Sequence, residues 1–341
     1  MSDSKKANRT ILVISQVYVP DPASVGQHMH DAAAELVRRG HDVHVITSGR
    51  GYDDPSIRYE PKEVRDGVHI RRLPLSSFGK ASIPVRLLAA SLFMLQCIVH
   101  GLFTRKLSGI LVSTSPPMAA IAALVIATFR RAPISYWVMD LNPDQMVELG
   151  KLKPGSLPVR LYDALNRVIL RKAKRVVALD RFMVERLNKK IDVTEKMEVM
   201  PPWPHEEALE SIPHSENPFR AEHDLGDKFV VMYSGNHGVT NSISTVLEAG
   251  LKLRDRDDLE FMFIGGGVRK KEVEAAIAQH KPRNIRSLPY QPFETLRYSL
   301  SAADVHLVSI GDDVVGVVHP CKVYGAMARG RPILLLGPDP C

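Results

Sequence analysis

From end to end the chain repeats one pattern: a short run of branched apolar residues, a polar or glycine-bearing turn, then an amphipathic stretch. Residues 11–14 form the first apolar run, and a polar loop extends from Ser15 to Gly26. The spacing then predicts a helix from about His28 to Arg39, closed by Gly40, and a strand over 43–46. Strand, helix and strand in that order make a βαβ unit, which requires a parallel sheet. Further strands are predicted at 109–112, 134–139, 175–179 and around 198–199. The run Met200-Pro-Pro-Trp-Pro204 breaks regular structure, because adjacent prolines forbid helix and remove donors. The same alternation restarts at 229–233 and continues through 259–264, 285–292, 305–309 and 333–336. The pattern predicts an α/β fold of two doubly wound, Rossmann-like domains, 1–200 and 228–341, joined by a linker over 201–227.

The run 87–103 departs from this rhythm because it carries no formal charge, although Gln96 and His100 interrupt it and Arg86 and Arg105 flank it. A buried helix, an interfacial helix and a short membrane span all fit that pattern. Charge adds a second hint. The net charge is +7, and twelve Lys and Arg residues fall between Lys151 and Lys190, against Asp163, Asp180 and Glu185. A basic helical face attracts anionic lipid or phosphate, or is simply solvated. Nucleic acid is not expected, because no aromatic residues are interleaved as stacking platforms. Cys97, Cys321 and Cys341 lie far apart and form no metal-ligand cluster, which suits a reducing cytoplasm. No secretory signal is expected in the polar first ten residues. A cytoplasmic protein, peripheral on the inner membrane surface, is the expectation.

Candidate chemistry gathers at three turns. In His319-Pro-Cys-Lys322, a proline turn opens a short helix with an apolar stripe of Val323, Met327 and Ala328, ended by Gly330. Lys322 in the first turn opposes the helix dipole unless an anion lies there, so Pro320, Cys321 and Lys322 suit a diphosphate; an ordinary connection with a solvated lysine fits too. The loop Ser234-Gly-Asn-His-Gly-Val-Thr-Asn241 follows a strand and precedes a helix, with Gly235 and Gly238 free to bring backbone N–H groups close to an anion. Asp140 and Asp144 close the strand at 134–139. They can bind hydroxyls, act as a base, or cap the next helix. The loop from Tyr18 to His28 is no GxGxxG fingerprint, which disfavours a nicotinamide dehydrogenase.

The segment Pro-Cys-Lys-x-Tyr-x-x-Met-Ala-x-Gly-Arg-Pro resembles the "PSK…MAxGxP" loop and helix of retaining, GT-B-fold glycosyltransferases of group 1, also called family 4. The strings Thr-Ser-Pro-Pro117 and Asp140-Leu-Asn-Pro-Asp144 resemble the subset that builds bacterial surface polysaccharide. This resemblance implies two domains facing a cleft and a nucleotide-sugar donor, UDP- or GDP-linked, as substrate. Cofactor and metal are not implied. Donor contacts map onto Gly235, Asn236, Gly238, Asn241, Tyr290, Gln291, Pro320, Cys321 and Lys322. Tyr18, Gly26, Gln27, His28 and Asp144 map onto the acceptor side, with Asp140 as the catalytic candidate. The acceptor implied is lipid-linked or a nascent saccharide. Two departures matter. The paired glutamates of the family read Val317 and Gly325 here, and the chain stops soon after Leu336, so the second domain is expected to be truncated. These departures keep two other readings open, a nucleotide-sugar epimerase and a non-catalytic partner in polysaccharide assembly.

Overall fold

The computed structural model describes residues 9–21, 23–51, 54–76, 83–204, 211–241 and 243–341. The chain forms two compact units, Met1–Pro201 and Pro202–Cys341.

The first unit winds β1 (Thr10–Ile14), α1 (Ser24–Arg38), β2 (Asp42–Ser48), β3 (Lys62–Arg65) and β4 (Val68–Leu73). It continues with α2 (Ile83–Leu102), β5 (Leu107–Ser113), α3 (Ala119–Arg130) and β6 (Ile134–Trp137). The unit closes with α4 (Asp144–Glu148), α5 (Leu157–Lys172), β7 (Arg175–Ala178), α6 (Arg181–Lys190) and β8 (Met197–Val199). The sheet order is β3-β4-β2-β1-β5-β6-β7-β8. Every pair is parallel except β3 with β4. That outer hairpin escaped the strand pattern above, although its Asp66-Gly67 turn, with φ of 50° and 76°, is a residue pair that favours a tight hairpin. Helix α1 also starts four residues earlier than predicted and takes in Gly26 and Gln27. A Cβ at Gly26 would lie 2.9 Å from the Tyr18 Cα, so glycine lets the loop press onto the helix.

The second unit contains α7 (Pro218–Glu222), β9 (Phe229–Ser234), α8 (Ser244–Lys252), β10 (Leu259–Ile264), α9 (Lys270–His280) and β11 (Ile285–Leu288). It ends with α10 (Leu296–Ser301), β12 (Val305–Ser309), α11 (Lys322–Ala328) and β13 (Ile333–Leu336). Its all-parallel sheet has the order β11-β10-β9-β12-β13. One face packs Tyr233, Phe261, Phe263 and Leu307 against Val246, Leu247 and Val273. The other packs Val230, Met232, Met262 and Ile264 against Phe219, Leu225, Ala302 and Ala303.

Phe219 and Leu225 correct the linker assignment. Residues 205–210 lie outside the described residues, but 217–225 are built into the second unit. Asn217 caps α7 through the Phe219 N–H (3.0 Å) and donates to the Tyr298 carbonyl (2.9 Å). Buried Arg220 donates to the carbonyls of Ala302, Gly226 and Lys228 at 2.6–2.8 Å. The polar composition that suggested a linker is a set of satisfied buried hydrogen bonds.

Helix α2 belongs to the first unit and carries apolar side chains on its exposed as well as its buried face. Ala89, Phe93, Met94 and Cys97 are buried, while Leu88, Leu95, Val99 and Phe103 face solvent. Among the described residues no helix is long and apolar enough to cross a membrane. The side chains of Leu87, the first residue of the run singled out above, and of Arg86, which flanks it, lie outside the described residues.

Candidate active site

In the second unit the topological switch falls between β9 and β12, which run parallel as neighbours but continue to opposite sides of the sheet. Ligands of open α/β sheets bind beyond the carboxyl ends of the strands at such a point. The loops leaving β9 and β12 are 235–243 and 310–321, the two turns singled out by sequence.

Lys322 opens α11 and turns back over this point. Its ammonium donates to the Tyr233 hydroxyl and sits 4.0 Å from the Tyr233 ring centroid. The Tyr233 hydroxyl in turn donates to the Asn236 carbonyl (2.9 Å). Desolvation pushes the Lys322 ammonium down to about 7, and among the described residues no carboxylate pairs with it. A desolvated cation held by a phenol and a π face is poised for an anionic ligand. Tyr233 is pushed far up by the same burial.

The glycine loop works differently from the sequence expectation. The Gly235 N–H is bonded to the Ile264 carbonyl (2.9 Å) and the His237 N–H to the Gly266 carbonyl (2.6 Å). These donors are committed to the neighbouring turn and do not cradle an anion. The glycines here serve close approach: Gly235 lies at φ 140°, and a Cβ on Gly265 would sit 2.0 Å from the Gly235 carbonyl oxygen. Asn236 and Asn241 knit the same loop, through Asn241 Nδ2 to the Asn236 carbonyl (3.2 Å), and a Cβ at Gly238 would lie 3.3 Å from Asn236 Nδ2.

Positive charge reaches this turn from the start of α9, which the sequence pattern above does not single out. Lys270 donates to the carbonyls of Gly265 and Leu288, both at 2.7 Å. Arg269 bonds the Asn241 carbonyl (3.0 Å) and Glu272 (2.9 Å). The signal was present in Gly265-Gly-Gly-Val-Arg-Lys-Lys271, a glycine turn followed directly by a basic helix start. His237, fully buried, is pushed down to about 4, first by desolvation and then by the positive surroundings that include Lys322 and Lys270. It is neutral at physiological pH.

Tyr290 is exposed beside the Gly266 backbone, where a Cβ would meet its ring at 2.9 Å, and Gln291 donates to the Pro289 carbonyl (3.1 Å). Pro320 and Cys321 form the turn before α11, with the Cys321 N–H on the His319 carbonyl (2.9 Å). His319 bonds the Tyr324 hydroxyl (2.8 Å) and stacks on its ring. The apolar stripe expected on α11 is corrected: Met327 is exposed, and Ala326 and Arg329 are buried. Val317 is buried and Gly325 faces Leu300, so neither place offers a carboxylate. Asp312 and Asp313 are exposed.

In the first unit the switch lies between β1 and β5, whose following loops are tied by the Gln16 N–H to the Ser115 carbonyl (2.6 Å) and by Ser113 to Ser15 (3.1 Å). Asp140 follows β6 at this carboxyl edge, its N–H bonded to Thr114 Oγ1 (3.1 Å). Desolvation raises its carboxyl to about 6. Such a group is a base at neutral pH with a proton affinity suited to a hydroxyl donor. Asp144 is not the cap of α4, whose N-cap position is Pro143. Its carboxylate meets Lys190 at 2.7 Å, and Lys190 also holds Asp163, an ion triad locking α4, α5 and α6. Tyr18 is buried, and its hydroxyl bonds His30 (2.9 Å), which pairs with Asp66 (2.8 Å). His28 is buried with its ring on the Ser24 carbonyl (2.6 Å). Both side chains thus contact α1, and Gln27 is carried on the same helix.

The sequence and the fold are similar to those of known proteins. The chain is 28% identical over 218 residues to the probable glycosyltransferase WbjE of Pseudomonas aeruginosa; the match covers 62% of this chain but about half, 54%, of that protein's length. It is 26% identical over 334 residues to the putative colanic acid biosynthesis glycosyl transferase WcaI of Escherichia coli (strain K12), covering 94% of this chain and 81% of the other. The fold superposes on Anabaena HepE in complex with UDP and glucose with a TM-score of 0.67 at 13% identity, over 96% of this chain and 81% of HepE, a likeness of GT-B fold alone. The glycosyl transferase 4-like domain matches residues 24–203, more than half of the sequence, and the chain belongs to that family.

Proposed function

We propose that this protein transfers a sugar from a UDP- or GDP-linked donor to a lipid-linked or nascent saccharide acceptor in surface-polysaccharide assembly, with retention of configuration. The observation that carries the donor half of this reading is Lys322, a desolvated ammonium without a carboxylate partner among the described residues, at the switch point of a parallel sheet. In the reaction the bond from the anomeric carbon to the donor phosphate breaks, and the diphosphate leaves with the electron pair. Lys322, with the positive field of Arg269 and Lys270, stabilises that charge, so the transfer needs no divalent ion in principle. The acceptor hydroxyl bonds to the anomeric carbon and gives up its proton, for which Asp140 is the candidate acceptor. Sugar release into a saccharide product, measured with both nucleotides and with EDTA present, tests the reading; epimerised donor without transfer would replace it.

Asp140 gives a double signature. A carboxyl whose folded pKa is raised stabilises the fold fully below its unfolded pKa near 4 and loses that contribution as pH rises through about 6. Asp140→Asn is therefore expected to melt higher than the parent at pH 7, by roughly 2 kcal/mol of stability, with the difference vanishing toward pH 4. Its transfer rate should fall at least about a hundredfold, and the parent's rate should drop as pH falls below 6. A variant as active as the parent removes Asp140 from the chemistry.

Lipid surfaces are the second element of the proposal. Helix α2 packs on α3 and α3 on α5. Leu88, Leu95 and Val99 run along α2, Phe103 (81% exposed) follows its last residue, Phe129 (74%) lies at the end of α3, and Leu157, Leu161 and Val168 alternate with Arg160, Arg167 and Arg171 on the solvent face of α5. Apolar side chains interleaved with arginines suit an anionic bilayer interface. Sedimentation with phosphatidylcholine vesicles containing phosphatidylglycerol should carry the protein down. Arg160→Glu with Arg167→Glu should weaken that binding at least about tenfold, since each basic residue near the surface contributes about 1 kcal/mol. Equal binding to neutral vesicles would defeat the electrostatic half of the proposal.

A further inference from the structure

At the opposite, amino-terminal edge of the first sheet lies a cluster that the transfer reaction does not use. Asp42 and His44 are two apart on β2 and share a face, and His69 on β4 is the register partner of His44. The two imidazole rings are 5.0 Å apart. Asp42 Oδ1 lies 3.1 Å from His44 Nε2 and 3.9 Å from His69 Nε2, and one ligand atom from each residue falls within 4.8 Å of the others. The second carboxylate oxygen accepts a hydrogen bond from Thr10 Oγ1 (3.0 Å), which fixes the carboxylate with Oδ1 toward the imidazoles.

We infer that Asp42, His44 and His69 form a binding site for a late first-row divalent metal ion of the Zn2+ class. Tetrahedral Zn2+ with nitrogen and oxygen ligands holds its ligand atoms about 3.3 Å apart, and the distances to Asp42 bracket that value. Two imidazoles and one carboxylate select Zn2+, Co2+ or Ni2+ over Mg2+ or Ca2+, which want oxygen alone. Thr10 supplies the outer hydrogen bond that metal-ligating carboxylates usually have. Half-buried His44 and Asp42 with exposed His69 leave a fourth position open to water. Arg71, next on the same face of β4, turns its guanidinium to His100 (3.3 Å). An ion here ties β2 to β4 and so anchors the outer β3–β4 hairpin, with no part in the chemistry at the carboxyl edge.

The test uses the full chain without an affinity tag, stripped with EDTA and freed of chelator. Titration with Co2+, read by its visible absorption, should give one site of micromolar affinity that Zn2+ displaces. At a hundredfold excess over the dissociation constant, Zn2+ should raise the melting temperature by about 5 °C. His44→Gln and His69→Gln should each weaken binding at least about tenfold while melting like the parent in EDTA. X-ray absorption of the Zn2+-loaded parent should show two imidazoles and no sulfur, a readout independent of how the variants fold. The inference is overturned by no binding at 0.1 mM metal (roughly a hundredfold above micromolar affinity), by sulfur ligation, or by unchanged binding in both histidine variants.

Discussion

Lys322→Ala is expected to weaken UDP and GDP binding at least about a hundredfold, the loss of a charge-assisted contact made inside a desolvated site. Stability should be nearly unchanged or slightly higher, because the removed ammonium is desolvated and, among the described residues, is paired with the Tyr233 phenol and no carboxylate. That combination separates a ligand role from a packing role. The pH dependence follows from the depressed pKa. A bound diphosphate favours the charged lysine and raises its pKa above the free value of about 7. Affinity is then fully present below pH 7 and falls as pH rises toward the pKa of the complex, with proton uptake on binding in that window. Calorimetry at pH 8 in two buffers of different ionisation enthalpy measures the uptake. Binding without proton uptake, or undiminished in the variant, removes Lys322 from the donor site.

Gly265→Ala should unfold the second unit or leave it at least about 3 kcal/mol less stable, the largest stability effect expected of any single methyl group here. Two independent penalties coincide. The residue sits at φ 131°, where an L side chain is strained, and the added Cβ would stand 2.0 Å from the Gly235 carbonyl oxygen. Backbone cannot yield as a flexible side chain does. Relief requires separating the β9 and β10 turns, which breaks the Gly235 N–H to Ile264 bond and shifts Tyr233 and the Lys322 it holds. Gly330→Ala is the control: its φ is also positive, 61°, but nothing lies within 4 Å of the added carbon. Chemical denaturation of both variants measures the difference. Equal stability of the two would show that the clash is absorbed elsewhere.

Much of this protein was legible in one dimension. Parallel strands buried on both faces write themselves as apolar runs, so β1, β9, β10 and β12 stood out. The β3–β4 hairpin did not, because it lies at a sheet edge where Lys62, Val64, His69 and Arg71 face solvent and carry no apolar run. Residues 217–225 were mistaken for a linker because their role, satisfying buried backbone carbonyls through Asn217 and Arg220, uses the polar residues that loops also use.

The site divided in the same way. The α/β class, the turns that follow β9 and β12, and Lys322 beside a helix start are written in one dimension, because each rests on local spacing and chain periodicity. What those turns do follows from the folded arrangement. It spent the Gly235 and His237 N–H groups on the neighbouring turn, brought Arg269 and Lys270 in from α9, and committed Asp144 to Lys190. It also set Asp42 and His44 against His69 across two strands. The reason is physical: desolvation, hydrogen-bond partners and electrostatic surroundings belong to neighbours in space, and residues far apart along the chain become neighbours only when the sheet forms.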